Sequence, residues 1–179
     1  MADIYVALIH YPVYNKNQKV VSTCITGVDL HDIARSALTY GIKKYFVVNP
    51  QAAQIAFAKR IVDCWKKDES YTHNWTRAEA FSRLELAETL EEVMAKLKDP
   101  ILVMTSARPK SNITYARLRL MLKKLKRPVL ILFGTGWGMA DELFKKADHI
   151  LPPIKGKGSY NHLSVRSAAA VIMDRLLGG

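Results

Sequence analysis

The sequence predicts an α/β fold with a Rossmann-like, mostly parallel sheet and helices on both faces. Short apolar runs of strand length alternate with longer amphipathic segments along the whole chain. Several of these runs are continuously apolar rather than alternating, as expected for strands covered on both faces. No Pro-, Gly- or Ser-rich linker divides the 179 residues, so one domain over residues 1–179 is expected.

Ile4–Ile9 reads as the first strand, followed by an irregular stretch, His10–Thr23, longer than a usual α/β connection. Leu30–Tyr40 has helical spacing, with Asp29 where an N-cap belongs and Gly41 as its stop. Tyr45–Val48 is the next strand, and Pro50 suits the opening of a helix over Ala52–Lys67. Asp68–Trp75 reads as a second long loop, rich in polar and aromatic residues, before the strand Leu84–Ala87. Helix Leu90–Lys98, strand Ile101–Thr105, helix Thr114–Leu125 and strand Val129–Phe133 follow, with Pro100 and Pro128 just after Lys-rich helix ends. Helix Met139–Lys146, a short strand at Ile150–Leu151 and a closing helix over Leu163–Leu177 complete the alternation.

Twenty-seven Lys and Arg against sixteen Asp and Glu leave a net charge of +11. Such an excess points to a polyanionic partner, nucleic acid first, against the plainer reading of a solvated lysine-rich surface. No apolar run approaches the roughly 18 residues that span a bilayer, and Met1–Ala2–Asp3–Ile4 lacks the basic start of a signal peptide. The expectation is a cytoplasmic protein that makes no membrane contact. Cys24 and Cys64 form neither a disulfide framework nor a zinc spacing, so both read as reduced thiols and no metal is expected.

Three clusters carry candidate chemistry. The first is Thr26–Ala37, where Asp29, His31, Asp32 and Arg35 stand at a helix start; its bland alternative is an Asp32–Arg35 surface pair and a satisfied histidine. The second is Phe133–Gly134–Thr135–Gly136–Trp137–Gly138–Met139, between a buried strand and a helix. Glycines there let the backbone approach a ligand, and the helix start offers free N–H donors. A dinucleotide fingerprint would be GxGxxG, and here the third glycine comes one place early, which weakens a nicotinamide reading. The third is Ile150–Val165: Pro152 and Pro153 stop regular pairing, and Tyr160, Asn161, His162 and Ser164 crowd four hydrogen-bonding side chains into five residues.

In this order the three clusters resemble the three motifs of the SPOUT superfamily of RNA methyltransferases, over nearly the whole chain. Asp29, Arg35, Ala37, Gly41–Ile42 and Tyr45–Pro50 occupy the places of the first motif. Val129–Gly134 matches the second, a buried strand ending in Phe-Gly, and Pro152–Gly156 with Ser164–Val165 and Ala168–Ala170 match the third. The strings HYPVYNK, DLHDIARSA, TSAR, FGTGWG and YNHLSVRSA are those of a small bacterial group of stand-alone SPOUT-type enzymes, and all are present.

The resemblance implies a C-terminal trefoil knot, a homodimer, S-adenosylmethionine as methyl donor, and a base nitrogen or ribose 2′-hydroxyl of tRNA or rRNA as acceptor. It assigns Asp29 or His31 to the departing proton and Arg35 to the acceptor phosphate or attacking group. Where ribose methyltransferases usually carry Asn at position 29, Gly at 31 and Asn at 162, this chain has Asp29, His31 and His162. An aspartate suits a base nitrogen, as in guanine-methylating SPOUT enzymes.

The cofactor would lie among Thr105, Ser106, Ala107, Phe133, Gly134, Thr135, Gly136, Trp137 and Gly138, with Leu151, Ile154, Tyr160, Asn161, His162, Leu163 and Ser164 around the adenine. RNA would meet Lys16, Lys19, Arg77, Lys155, Lys157 and Arg166, with Tyr14 or Trp75 to stack on an unpaired base. The closing helix would form the dimer face. The alternative is a basic α/β nucleotide- or RNA-binding protein without transfer activity.

Overall fold

The computed structural model describes residues 2–179; Met1, the first residue of the expected domain, lies outside the described residues. The chain opens with β1 (Ile4–Ile9), a hairpin of β2 (Val13–Tyr14) and β3 (Val20–Val21), and α1 (Gly27–Thr39). Then come β4 (Tyr45–Val48), α2 (Ala52–Trp65), α3 (Asp68–Ser82), β5 (Leu84–Ala87), α4 (Leu90–Lys96) and β6 (Ile101–Met104). It ends with α5 (Tyr115–Lys124), β7 (Val129–Gly134), α6 (Asp141–Phe144), β8 (His149–Ile150) and α7 (Val165–Leu177).

Six strands form one sheet in the order β5-β4-β1-β7-β6-β8. Every pairing in it is parallel, with Val6 of β1 registered between Tyr45 of β4 and Ile131 of β7. Because side chains alternate along a strand, Val6, Leu8, Val47, Ile131 and Phe133 face one layer, built from α1, α2, α3, α5 and α7. Ala7, Ile9, Phe46, Leu130 and Leu132 face the other, where α4 and α6 supply Leu90, Val93 and Leu143. This two-sided cover explains why β1, β4 and β7 read as continuous apolar runs.

Helix α1 buries Leu30, Ile33, Ala34 and Ala37, the i, i+3, i+4, i+7 stripe, and Gly41 ends it at φ +70°. Each buried Leu or Ile there contributes about 1.5–3 kcal/mol. The N-cap is Thr26, whose hydroxyl oxygen accepts from the Asp29 amide at 3.3 Å, so Asp29 stands in the first turn instead of at the cap. Pro50 likewise falls before the cap of α2, which is Gln51. Helix α7 buries Ala169, Ile172, Met173 and Leu176 against α1 and α5, with Ser164 as cap.

Two expected loops are structured. Asp68–Trp75 belongs to α3, which breaks at Asn74 (φ −154°, ψ 78°). The Asn74 carboxamide accepts from the Arg77 amide at 3.2 Å and so caps the second half, a local bond that a polar sequence also offers to a loop. His10–Thr23 folds as the β2–β3 hairpin, closed by Asn15, whose side-chain oxygen accepts from the amides of Asn17 and Lys19 at 2.9 and 3.0 Å. Helix α6 is shorter than the expected Met139–Lys146, because Met139 is drawn into a bridge with Val13.

After β8 the chain runs without helix or strand from Leu151 to Ser164 before α7, and it contacts the β6–α5 loop and α5 on the way. The Asn161 amide donates to the Ala107 carbonyl at 3.2 Å and the Tyr115 hydroxyl donates to the Pro152 carbonyl at 3.0 Å. Among the described residues no helix is long and apolar enough to cross a membrane.

Candidate cofactor and methyl-transfer site

A cavity of about 860 Å³ opens at the carboxyl ends of β6 and β7, the end at which open α/β sheets hold their ligands. Thr105–Ala107, Phe133–Gly138, Ile154 and Asn161–Ser164 line it, so three segments far apart in sequence form one wall system. Leu151 does not: it is fully buried beneath the lining, its amide bonded to the Met104 carbonyl at 2.9 Å. Tyr160 is 76% exposed and sits outside, edge-on to His162 at 5.4 Å.

The β2–β3 hairpin fixes the glycine loop. The Tyr14 amide donates to the Gly138 carbonyl at 2.8 Å and the Trp137 amide donates to the Tyr14 carbonyl at 2.9 Å. A Cβ on Gly136, at φ +56°, would stand 2.8 Å from that same Tyr14 oxygen, and Gly138 takes φ +100°. Both positions favour glycine because the chain turns left-handed there, and at Gly136 it does so against a neighbouring backbone.

Asp29 is the only acidic side chain in the lining among the described residues, and only 8% of the residue is exposed. The Thr26 hydroxyl donates to its carboxylate at 2.6 Å. Arg166, in the first turn of α7, stands 3.6 Å from the Asp29 carboxylate and 3.3 Å from that of Asp32. The expected Asp32–Arg35 pair is therefore replaced by a pair across two helices, which places Arg166, expected at an RNA phosphate, against these two carboxylates.

The other first-motif candidates lie elsewhere. His31 faces α2 and α3, with ring centroids 5.6 Å from Trp65 and 4.7 Å from Phe81, and its Nδ1 is buried without a partner. Burial, with Arg77 nearby, holds its pKa below the ordinary histidine value. It does not reach the cavity, which corrects its nomination as proton acceptor. Arg35 is exposed on α1 and contributes nothing to the lining.

Beneath the cavity floor lies a histidine that the sequence did not single out. His10 is fully buried, and Nδ1 meets the Thr23 hydroxyl at 3.0 Å. Thr23 in turn meets the Thr135 hydroxyl at 2.5 Å, tying β1, the hairpin and the glycine loop together. Burial lowers the His10 pKa to about 4, partly offset by the Asp29 charge. Thr23, Cys24, Thr26 and Arg108 also line the cavity. Arg108 stood in the TSAR string, but no periodicity marks a loop residue as a wall.

Of the expected RNA contacts, Lys16 and Lys19 lie exposed on the hairpin, except that Lys19's amide serves its turn; Lys155 and Lys157 are exposed in the irregular segment before α7. Arg77 is stacked over Trp65 at 4.9 Å. Tyr14 lies under Arg108 at 5.5 Å, with its hydroxyl accepting from the Asp141 amide at 3.2 Å, so it is committed to the fold and not to base stacking. Trp75 remains 63% exposed.

The cavity fits the expected methyl donor on its own terms. Its volume lies within the roughly 300–1,000 Å³ of small-molecule sites. Its walls combine apolar Phe133, Ile154 and Leu163 with backbone from the glycine loop and the Leu151–Ser164 segment, which is free of any regular ladder.

Residues 3–178 match the model of a family described as SAM-dependent RNA methyltransferase. An uncharacterised protein of Aquifex aeolicus is 43% identical over 180 residues, covering 97% of this chain and 88% of that protein. A tRNA (guanine-N(1)-)-methyltransferase of Nitratidesulfovibrio vulgaris is 41% identical over 184 residues, covering 98% of this chain but only 42% of that protein. In fold the chain is similar to the SpoU methyltransferase AviRb from Streptomyces viridochromogenes, solved in complex with AdoMet. That likeness has a TM-score of 0.63 at 17% identity and covers 99% of this chain and 58% of that one. With the family model spanning nearly its whole length, the chain belongs to the SAM-dependent RNA methyltransferases, with a SPOUT-type fold, S-adenosylmethionine as cofactor and RNA as substrate.

Proposed function

We propose that residues 1–179 form a single methyltransferase domain that methylates a base nitrogen in tRNA or rRNA, with Asp29 receiving the acceptor's proton. The observation that carries this reading is the placement of Asp29 as the sole carboxylate in the cavity wall among the described residues, oriented by Thr26 and Arg166. A bound S-adenosylmethionine supplies an electrophilic methyl group on sulfur. Asp29 then needs only to hold the nucleophile in line and take its proton. A carboxylate is a weak base, matched to a ring N–H better than to a sugar hydroxyl. The guanine-N1 activity in the name of the Nitratidesulfovibrio relative points the same way, although this chain spans less than half of that protein.

RNA lies across the exposed Lys16, Lys19, Lys155 and Lys157, with Trp75 available to stack on an unpaired base. The C-terminal segment folds as a trefoil knot, a reading supported by the hydrogen bond from Asn161 to the Ala107 carbonyl of the β6–α5 loop. The chain works in the cytoplasm as a homodimer through the outer face of α7, since its inner face is consumed by α1 and α5.

The test is transfer of labelled methyl from S-adenosylmethionine to bulk tRNA and rRNA, followed by nucleoside mass spectrometry, with light scattering for the oligomer. A methylated base supports the reading. A 2′-O-methyl nucleoside assigns the site to ribose instead, and binding without transfer leaves an RNA-binding protein.

A further inference from the structure

Arg108 is the only Lys or Arg in the cavity lining among the described residues. It extends from the β6–α5 loop, where its amide donates to the Ser106 hydroxyl at 3.0 Å. Its guanidinium reaches Asp141 at the start of α6 at 3.1 Å and the Gln18 carboxamide on the hairpin at 3.3 Å, and it lies over the Tyr14 ring. Asp29 is held by other groups, Thr26 and Arg166, so the Arg and the Asp of the lining are not paired with each other.

Resting on the methyl-donor reading above, we infer that Arg108 recognises the α-carboxylate of the cofactor's methionine end. Two of its five N–H groups are spoken for, by Asp141 and Gln18, which leaves donors for a second carboxylate. The pair with Asp141 is solvent-exposed, with side chains 44% and 70% accessible, so it holds the guanidinium in place without committing it. Tyr14 fixes the plane of the group, as a stacked aromatic does for arginine. Among the described residues no other Lys or Arg in the wall carries the fixed positive charge that a carboxylate calls for. The hairpin, which has no role in the sheet, is thereby given one: it sets the position of a specificity residue.

The experiment measures, by titration calorimetry, the binding of S-adenosylmethionine and of its decarboxylated form to the wild type, Arg108→Gln and Arg108→Lys. The wild type should prefer the carboxylate-bearing donor by about tenfold or more, the scale of one charge-assisted bond. Arg108→Gln should bind both forms alike, with its affinity for the decarboxylated form within about twofold of wild type, and Arg108→Lys should restore part of the preference. Equal weakening toward both ligands would overturn the inference in favour of a purely structural clasp. Unchanged cofactor affinity with weaker RNA binding would overturn it in favour of a phosphate contact. Failure of the wild type to bind either donor would overturn the methyl-donor reading together with the inference, and that outcome is distinct from both others.

Discussion

The Arg166 guanidinium on α7 bridges two carboxylates of α1, Asp29 at 3.6 Å and Asp32 at 3.3 Å. One cation thus joins the chain's last helix to the residue that the cavity wall presents for chemistry. Asp29→Asn should reduce kcat by about a hundredfold or more, the usual worth of a positioned base, while the Kd for S-adenosylmethionine stays within about threefold. Arg166→Gln, which frees the carboxylate to turn, should cost about tenfold in kcat. Single-turnover transfer assays beside cofactor titrations separate the two effects; equal losses in binding and turnover would refute the assignment.

His10 makes stability depend on acidity. Its folded pKa lies near 4 against 6.5 for an ordinary histidine, so the unfolded chain binds the extra proton first. The folded state keeps its full stability above about pH 6.5 and loses it as pH falls toward 4, by about 3 kcal/mol in the limit. Denaturant titrations from pH 7.5 to 4.5 should show this slope in the wild type and a flatter one in His10→Asn, which retains a partner for Thr23.

Gly136→Ala should destabilise the protein by about 2 kcal/mol or more, since a Cβ in the left-handed region meets a backbone oxygen. It should also weaken cofactor binding, because the Tyr14 and Trp137 pairing shifts with it. Gly158→Ala meets nothing within 4 Å and should be silent in the same thermal melts.

Lys155→Gln and Lys157→Gln should weaken RNA binding without changing cofactor affinity. Each lost phosphate contact should flatten the dependence of log K on log salt by a little under one. Filter binding across salt concentrations reads this directly, and an unchanged slope would place the RNA elsewhere.

The apolar runs of β1, β4, β5 and β7 and the buried stripes of α1 and α7 were legible in the sequence because burial on one or two faces leaves a periodic mark. The glycine loop was legible because left-handed backbone near a strand end leaves few choices besides glycine. Cap positions were not: Thr26 and Asp29 are both good caps, and only the hydroxyl-to-amide bond decides between them. Helix α3 was read partly as a loop because Asn74, which caps its second half, carries the same polar signal as a turn residue.

Local pattern thus determined the alternation of strands and helices, the excess of positive charge, and which three short segments were dense in chemistry. The tertiary fold alone decided what those segments meet. It placed Arg166 against Asp29 across 137 positions of chain, turned His31 away from the cavity, and brought Arg108 beside Tyr14 and Asp141. Periodicity records which face of an element is buried, but the partner across a cavity is set by sheet order and by the return of the C-terminal segment, and neither leaves a local trace in the sequence.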